Sequence, residues 1–308
     1  MVSSTCFSGL IGTGLLLLSK YPLQDPSYKL FSMNGYLHQI WYGDSWCGSG
    51  IGTAWIELPN GFKVLICTSH FHAEYNRDDD QFLPDRICQA LEGIKEIESK
   101  EHLVDAVIYA GDFNTEPQDL PHQILIKMSG LQDARGNETP KPSYNAEWNT
   151  YASPKERPVT IDYIMIGTNE DTKVITTHCQ NPLSSKISGE SISYSDHEGV
   201  WAQIKFQDQK DIAYDKPEAY DVDTLNRLNS QLRDVLRLER SKMEWSMWII
   251  FMVSAAFLSV WKWEGPWSIF IVLILSYLFY LGGQFFKRIT AISSQIDTIM
   301  ALMNPVKK

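Results

Sequence analysis

The chain has 308 residues, a length that fits about two domains. It carries 27 Lys and Arg against 37 Asp and Glu, a net charge of -10, which argues against a nucleic-acid backbone as its partner and leaves zwitterionic or small anionic substrates open. The five cysteines (Cys6, Cys47, Cys67, Cys88, Cys179) show neither paired nor metal-ligand spacing. They read as reduced thiols in a protein facing the cytosol.

In chain order, a polar start leads into the apolar run 9–18. No basic segment precedes it and no small-residue cleavage site follows, so a signal peptide is the weaker reading. A buried strand over 13–19, with glycines where backbones pack closely, is the stronger one. Further strands are expected at 36–42, 52–58 and 62–69. The last two are joined at Pro59-Asn60-Gly61 as a hairpin. The second delivers His70-Phe71-His72 at its end.

Residues 85–97 read as an amphipathic helix with Ile87, Leu91, Ile94 and Ile97 on one face. The β-branched run 104–110 is a buried strand that ends in Gly111-Asp112-Phe113-Asn114. Pro117 is well placed to open a helix, and 120–128 is a helix candidate. Residues 133–158 are rich in Asn, Pro, Ser and Lys and read as loop. Strand 159–166 carries Asp162. A polar loop, 181–194, leads to Ser195-Asp196-His197, and 199–206 alternates as a final strand.

Composition then changes. Residues 1–206 form the expected catalytic domain, 207–221 a linker, and 222–308 a membrane domain. Val222, Leu225, Leu228, Leu232 and Val235 recur at helical spacing. Two uncharged segments, about 245–261 and 267–286, match the roughly 17–25 residues needed to cross a bilayer. Only a tight turn separates them, so they read as a transmembrane helical hairpin. Tryptophans lie near both ends, and the basic residues flank the outer ends, which places those ends in the cytosol. Ile289, Ile292, Ile296, Ile299 and Met303 repeat the rhythm and are expected to pack against 222–236 as a stalk. Short spans suit a thin bilayer, such as the endoplasmic reticulum or another endomembrane.

The chemistry-bearing residues collect at strand ends: His70, His72, Asp112, Asn114, Asp162, Asp196 and His197. Asp and Asn are ordinary turn residues, and a single histidine is more often structural than catalytic. The combination carries more weight. Asp162, bordered by Ile161, Tyr163 and Ile164, needs a partner, and a histidine is a natural one. An Asp–His pair fixes the ring's tautomer and raises its basicity, the equipment of a general base acting on water. Carboxylate and amide oxygens suit Mg²⁺ better than zinc. No glycine-rich phosphate loop is present.

Gly-Asp-Phe-Asn, Ile-Asp-Tyr and Ser-Asp-His in this order resemble the endonuclease/exonuclease/phosphatase superfamily. Within it the chain is similar to neutral sphingomyelinases of the small, two-transmembrane type. That likeness rests on Thr68-Ser69-His70-Phe71-His72-Ala73-Glu74-Tyr75-Asn76, on Gly12-Thr13-Gly14-Leu15 with Ser19-Lys20-Tyr21-Pro22, and on the C-terminal hairpin. It implies an α+β fold, a two-sheet β-sandwich flanked by helices. It also implies Mg²⁺-dependent hydrolysis of sphingomyelin, or a related choline phospholipid, to ceramide and phosphocholine. By the same resemblance His197 is the general base, Asp162 orients it, and Asp112 positions the water and helps the metal site. Asn114 binds the scissile phosphate, His70 stabilises its developing charge, and Asp196 supports the metal.

The sequence departs from the family at its start. Members begin with a strand bearing an Asn and a second strand supplying a Glu as principal Mg²⁺ ligand, and this chain begins after both. None of its first twenty residues is acidic, and Asp25 does not match. The expectation is an N-terminally short chain whose sheet lacks its first strands and exposes an apolar edge. The alternative is a catalytically impaired, membrane-anchored homologue that binds a lipid or a partner.

Overall fold

Apolar alternation through the middle of the chain builds one mixed sheet in the computed structural model. The structure describes residues 2–5, 12–36, 38–39, 41–136, 138, 141–169, 172–208, 222–260 and 267–303. The first third contains β1 (Val2–Thr5), β2 (Leu16–Ser19), β3 (Gln24–Leu30), α1 (Asp44–Cys47), β4 (Gly50–Glu57) and β5 (Lys63–His70). There follow α2 (Leu83–Glu101), β6 (Ala106–Asp112), α3 (Leu120–Ser129), β7 (Gln132–Asp133), β8 (Asp162–Thr168), β9 (Thr172–Gln180) and β10 (Trp201–Asp208). Two long helices, α4 (Val222–Val260) and α5 (Trp267–Met303), complete the chain.

The large sheet has the order β3–β4–β5–β6–β8–β7. β4 and β5 form the expected hairpin, with Glu57 opposite Lys63 and the turn closed by the Gly61 amide donating to the Leu58 carbonyl at 2.8 Å. β5 and β6 run parallel, which requires a crossover, and α2 provides it. The predicted apolar face of α2 is buried: Ile87, Leu91, Ile94 and Ile97 are all inside. Each such side chain contributes about 1.5–3 kcal/mol of transfer free energy. Gly93 lets the helix approach the sheet, because a Cβ there would stand 2.8 Å from the Tyr109 hydroxyl. Tyr109 itself donates to Ser69 Oγ at 2.9 Å, which fastens β6 to β5 below the site.

Several expectations change. Where two mixed sheets are expected, the described residues form one six-stranded mixed sheet and two separate antiparallel pairs, β1–β2 and β9–β10. The strand expected to be buried over 13–19 is half uncovered: Leu16 and Leu18 are 53% and 54% exposed, because β2 pairs with β1 alone. No strand forms among the described residues of 36–42. The Gln39 amide closes a turn on the Tyr36 carbonyl instead. Pro117 does not open a helix. α3 starts three residues later, with Pro121 in its first turn. β3 and β9 were not anticipated, since neither shows clean apolar alternation. The linker region 209–221 and the interhelical turn 261–266 lie outside the described residues, as do residues 9–11 of the apolar run 9–18.

The chain divides into two units, Met1–Gly35 with Trp41–Ala219, and Tyr36–Ile40 with Tyr220–Lys308. In the second, the amphipathic and apolar segments fuse into continuous helices of 39 and 37 residues. No Gly or Pro interrupts 236–245, so nothing ends α4 there. α4 and α5 pack together, burying Leu225, Leu228 and Leu232 on one and Ile292, Ile296 and Ile299 on the other. Glu239 is buried within this unit, 3.3 Å from Arg288 Nε, and accepts a hydrogen bond from the Tyr36 hydroxyl. Among the described residues one helical segment, Ile269–Met303, is long and apolar enough to cross a membrane, with a mean hydropathy of 2.0 over an 18-residue window.

Candidate active site

Sheet register brings three of the sequence candidates into one row. In the parallel pair β5–β6, His70 is opposite Asp112, and in the antiparallel pair β6–β8, Asp112 is opposite Asp162. Residues opposed across neighbouring strands project to the same face. His70 Nε2 accordingly lies 3.4 Å from Asp112 Oδ2. Gly111 permits the close approach of β5 and β6 at this point, since a Cβ on it would sit 2.0 Å from the Ser69 carbonyl oxygen.

His197 reaches the row from a distant loop. Its segment is pinned by a bridge to Tyr144, which also bridges Val159 beside β8. Its Nδ1 lies 2.8 Å from Asp162 Oδ2, and its Nε2 lies 4.0 Å from Asp112 Oδ2. The pairing with Asp162 makes Nδ1 the protonated nitrogen and leaves Nε2 facing Asp112. Burial draws the His197 imidazole down, but the hydrogen bond and charge of Asp162, with the charges of Asp112 and Asp196, outweigh it and lift the group to about 9. Burial and the Asp162 carboxylate push Asp112 up to about 8, although His197 and the Asn114 amide oppose the shift. Burial lowers His70, offset in part by Asp44.

Asn114 adopts φ 45°, a left-handed conformation that Asn tolerates better than most residues. Its backbone amide donates to Asp112 Oδ1 at 2.9 Å. Its side-chain Nδ2 donates to the Phe71 carbonyl at 2.9 Å and stands 3.4 Å from Asp112 Oδ2. Asp196 is not gathered in. It is exposed, and its Oδ1 accepts from Ser195 Oγ at 3.1 Å. His72 is also elsewhere: it is buried, with its ring stacked on Phe82 at 4.0 Å.

Sequence reasoning missed the supports. Ser143 Oγ accepts from the amides of Ile161 and Asp162, each at 3.0 Å, and its carbonyl accepts from the Glu198 amide. Asn149 Nδ2 donates to the Ser195 carbonyl at 2.9 Å, and Arg135 donates to the Asp162 carbonyl at 2.7 Å. These residues sit in or beside a long polar loop, where composition gives no sign of their roles. Arg157, near Asp162 in sequence, is committed to Glu116.

Asp112, Asp162 and His197 each offer an atom within 4.8 Å of the others, a group able to hold a metal ion. The donor chemistry fits a hard divalent cation. Two carboxylates crowd together, and among the described residues no Lys or Arg pairs with Asp112.

Residues 2–197 match the Endonuclease/Exonuclease/phosphatase family, and the chain belongs to it. Among relatives, the putative neutral sphingomyelinase of Drosophila melanogaster is 32% identical over 203 residues, 64% of this chain and 46% of that protein. Sphingomyelin phosphodiesterase 2 of Mus musculus is 31% identical over 215 residues, 64% of this chain and 49% of that one. Inositol phosphosphingolipids phospholipase C of Schizosaccharomyces pombe is 33% identical over 127 residues, 41% of this chain and 30% of its own length. The chain spans about half the length of the first two.

Proposed function

We propose that this chain carries the active site of a Mg²⁺-dependent phosphodiesterase that hydrolyses sphingomyelin to ceramide and phosphocholine. The observation that carries the reading is the His197–Asp162 pair set beside the row His70–Asp112. The relatives' names supply the substrate class. His197 Nε2 takes a proton from a water hydrogen-bonded between it and Asp112. Asp162 holds the Nδ1–H and stabilises the imidazolium. The water oxygen bonds to phosphorus in line as the bond to the ceramide oxygen breaks, and that oxygen takes a proton from solvent to leave as the alcohol. Asn114 and His70 bind the phosphoryl oxygens while charge builds on them. A bound Mg²⁺ would add an electrostatic clamp on a phosphoryl oxygen. Asp112 would hold it, within the group it forms with Asp162 and His197.

The same reading makes 1–206 the catalytic domain, 207–221 a linker and 222–308 a membrane domain. In it the uncharged part of α4 joins α5 as a second span, and the chain is a multi-pass protein of the endoplasmic reticulum or another endomembrane with its catalytic domain in the cytosol. Support comes from the large apolar side chains exposed along both helices, including Trp245, Trp248 and Phe251 on α4 and Phe270, Leu273 and Phe279 on α5.

Phosphocholine release from sphingomyelin in mixed micelles, by the full-length membrane protein, tests the proposal. Release should require Mg²⁺, stop with a chelator, and resume on readdition. His197→Ala should lower it by at least about 10²-fold. Metal-independent release, or an undiminished His197→Ala rate, would overturn it.

A further inference from the structure

A group of aromatic side chains packs around His72, two residues beyond His70, and the hydrolytic mechanism makes no use of it. Trp41 and Tyr42 meet edge to face, with centroids 6.1 Å apart at 63°. Tyr42 stacks on Tyr75 at 4.1 Å, so each of these two rings has its other face turned outward from the stack. Phe82 closes the inner side, 5.4 Å from Tyr42 and 5.8 Å from Tyr75. Exposed apolar side chains that adjoin one another mark an interaction site more often than scattered ones do, and here Trp41 is 69% and Tyr75 45% exposed.

The Asp44 carboxylate lies against Tyr75 and His72. Its side chain is only 12% exposed. It accepts from the Tyr75 hydroxyl at 2.5 Å and stands 3.8 Å from His72 Nδ1. Among the described residues no Lys or Arg pairs with it. A sheltered carboxylate calls for positive charge nearby, and aromatic faces attract cations that have no N–H to donate.

Position ties this group to the reaction. His72 follows His70 by two residues, and its ring lies 6.0 Å from that of Tyr75. The intervening Phe71 carbonyl is held by Asn114 Nδ2. The rings are also held in place from below. Gly35 packs so closely that a Cβ on it would meet His72 Nε2 at 2.4 Å, and the Gly35 amide donates to Asp85 Oδ1 at 2.6 Å.

We propose that Trp41, Tyr42, Tyr75 and Asp44 form the headgroup subsite of this enzyme, a site for a quaternary ammonium linked to the scissile phosphate. This rests on the phosphodiesterase reading above and adds the residues that select the headgroup. A trimethylammonium group gains from the ring faces and from Asp44 without needing a hydrogen-bond acceptor. A primary ammonium would shed its water shell for one carboxylate.

The test uses the full-length protein in mixed micelles with two lipids that differ only in the headgroup, sphingomyelin and ceramide phosphoethanolamine. Trp41→Ala and Asp44→Asn should lower kcat/KM for sphingomyelin about tenfold, chiefly through KM. The phosphoethanolamine lipid should lose about twofold or less. Parallel losses on both lipids, or no loss on either, would overturn the subsite while leaving the hydrolytic reading intact. Calorimetric binding of free phosphocholine and of inorganic phosphate gives an independent arm. The unmodified protein should bind phosphocholine more tightly, and Asp44→Asn should erase the difference; equal affinity for the two in the unmodified protein counts against the subsite. A protein that cleaves neither lipid yet binds phosphocholine through Asp44 would retain the subsite and lose the reaction.

Discussion

Asp162 lies directly across from Asp112 in the antiparallel pairing of β6 with β8, and the two carboxylates do different work. Asp162 is spent on His197 Nδ1 at 2.8 Å. Asp112 keeps its oxygens for Asn114, His70 and whatever enters the site. The division follows from which of the two the Ser195–His197 loop reaches.

Asp162→Asn should therefore act through His197. Without the Asp162 charge, the imidazole titration should fall from about 9 toward the ordinary histidine range. A lower value means that the ring is neutral, and able to accept a proton, at lower pH. The acidic limb of the rate profile should move down in pH while kcat falls about 10²–10⁴-fold. NMR titration of the metal-free protein follows the first effect directly. A His197 that still titrates near 9 in the variant would show that the pairing is not what raises it.

Gly111→Ala should disturb the strand junction without touching any side chain of the site. The added methyl meets the Ser69 carbonyl oxygen at 2.0 Å, a backbone atom that cannot swing aside. Overpacking of this kind costs about 1–3 kcal/mol. A lower denaturant midpoint with an unchanged slope is the expected signature.

Arg86 is a second point of sensitivity. It is 1% exposed, and its guanidinium meets Asp80, lies 3.5 Å from Glu74 and donates to the His72 carbonyl at 3.3 Å. Arg86→Ala leaves buried acceptors without their partner and should cost about 3–5 kcal/mol. Replacing Arg86 and Asp80 together by apolar residues should cost much less, which urea unfolding of the two variants would reveal.

For the helical unit, Asn229→Cys with Met300→Cys should crosslink under mild oxidation. Asn229 Nδ2 and Met300 Sδ are already 3.5 Å apart across α4 and α5. Pairing each cysteine instead with one at an exposed position such as Leu238 should give no intramolecular band. Absence of the 229–300 crosslink in membranes would mean that the two helices do not pack in this register.

Much of the sheet was legible because its strands are strongly apolar and their turns carry Pro, Asn and Gly. The β4–β5 hairpin and the α2 face come straight from periodicity. β3 and β9 were hidden because polar residues interrupt their alternation: Gln24-Asp25-Pro26-Ser27 opens the first, and Thr176-Thr177-His178 sits in the second. Residues 36–42 mimic a strand in composition. Tyr36 is nonetheless claimed by Glu239, Lys242 and Arg288 from more than two hundred positions away, a partnership that local pattern cannot carry.

The order of residue types alone offered the candidate residues, because Asp, Asn and His collect at the ends of several apolar runs. It also marked where the chain turns from polar to strongly apolar, since that change is compositional. Only the three-dimensional arrangement decided which of those residues meet. Cross-strand register set His70, Asp112 and Asp162 in one row, a bridge through Tyr144 brought His197 to it, and Asp196 and His72 were left outside. Register depends on hydrogen bonds between distant segments, and proximity along the chain holds no record of them.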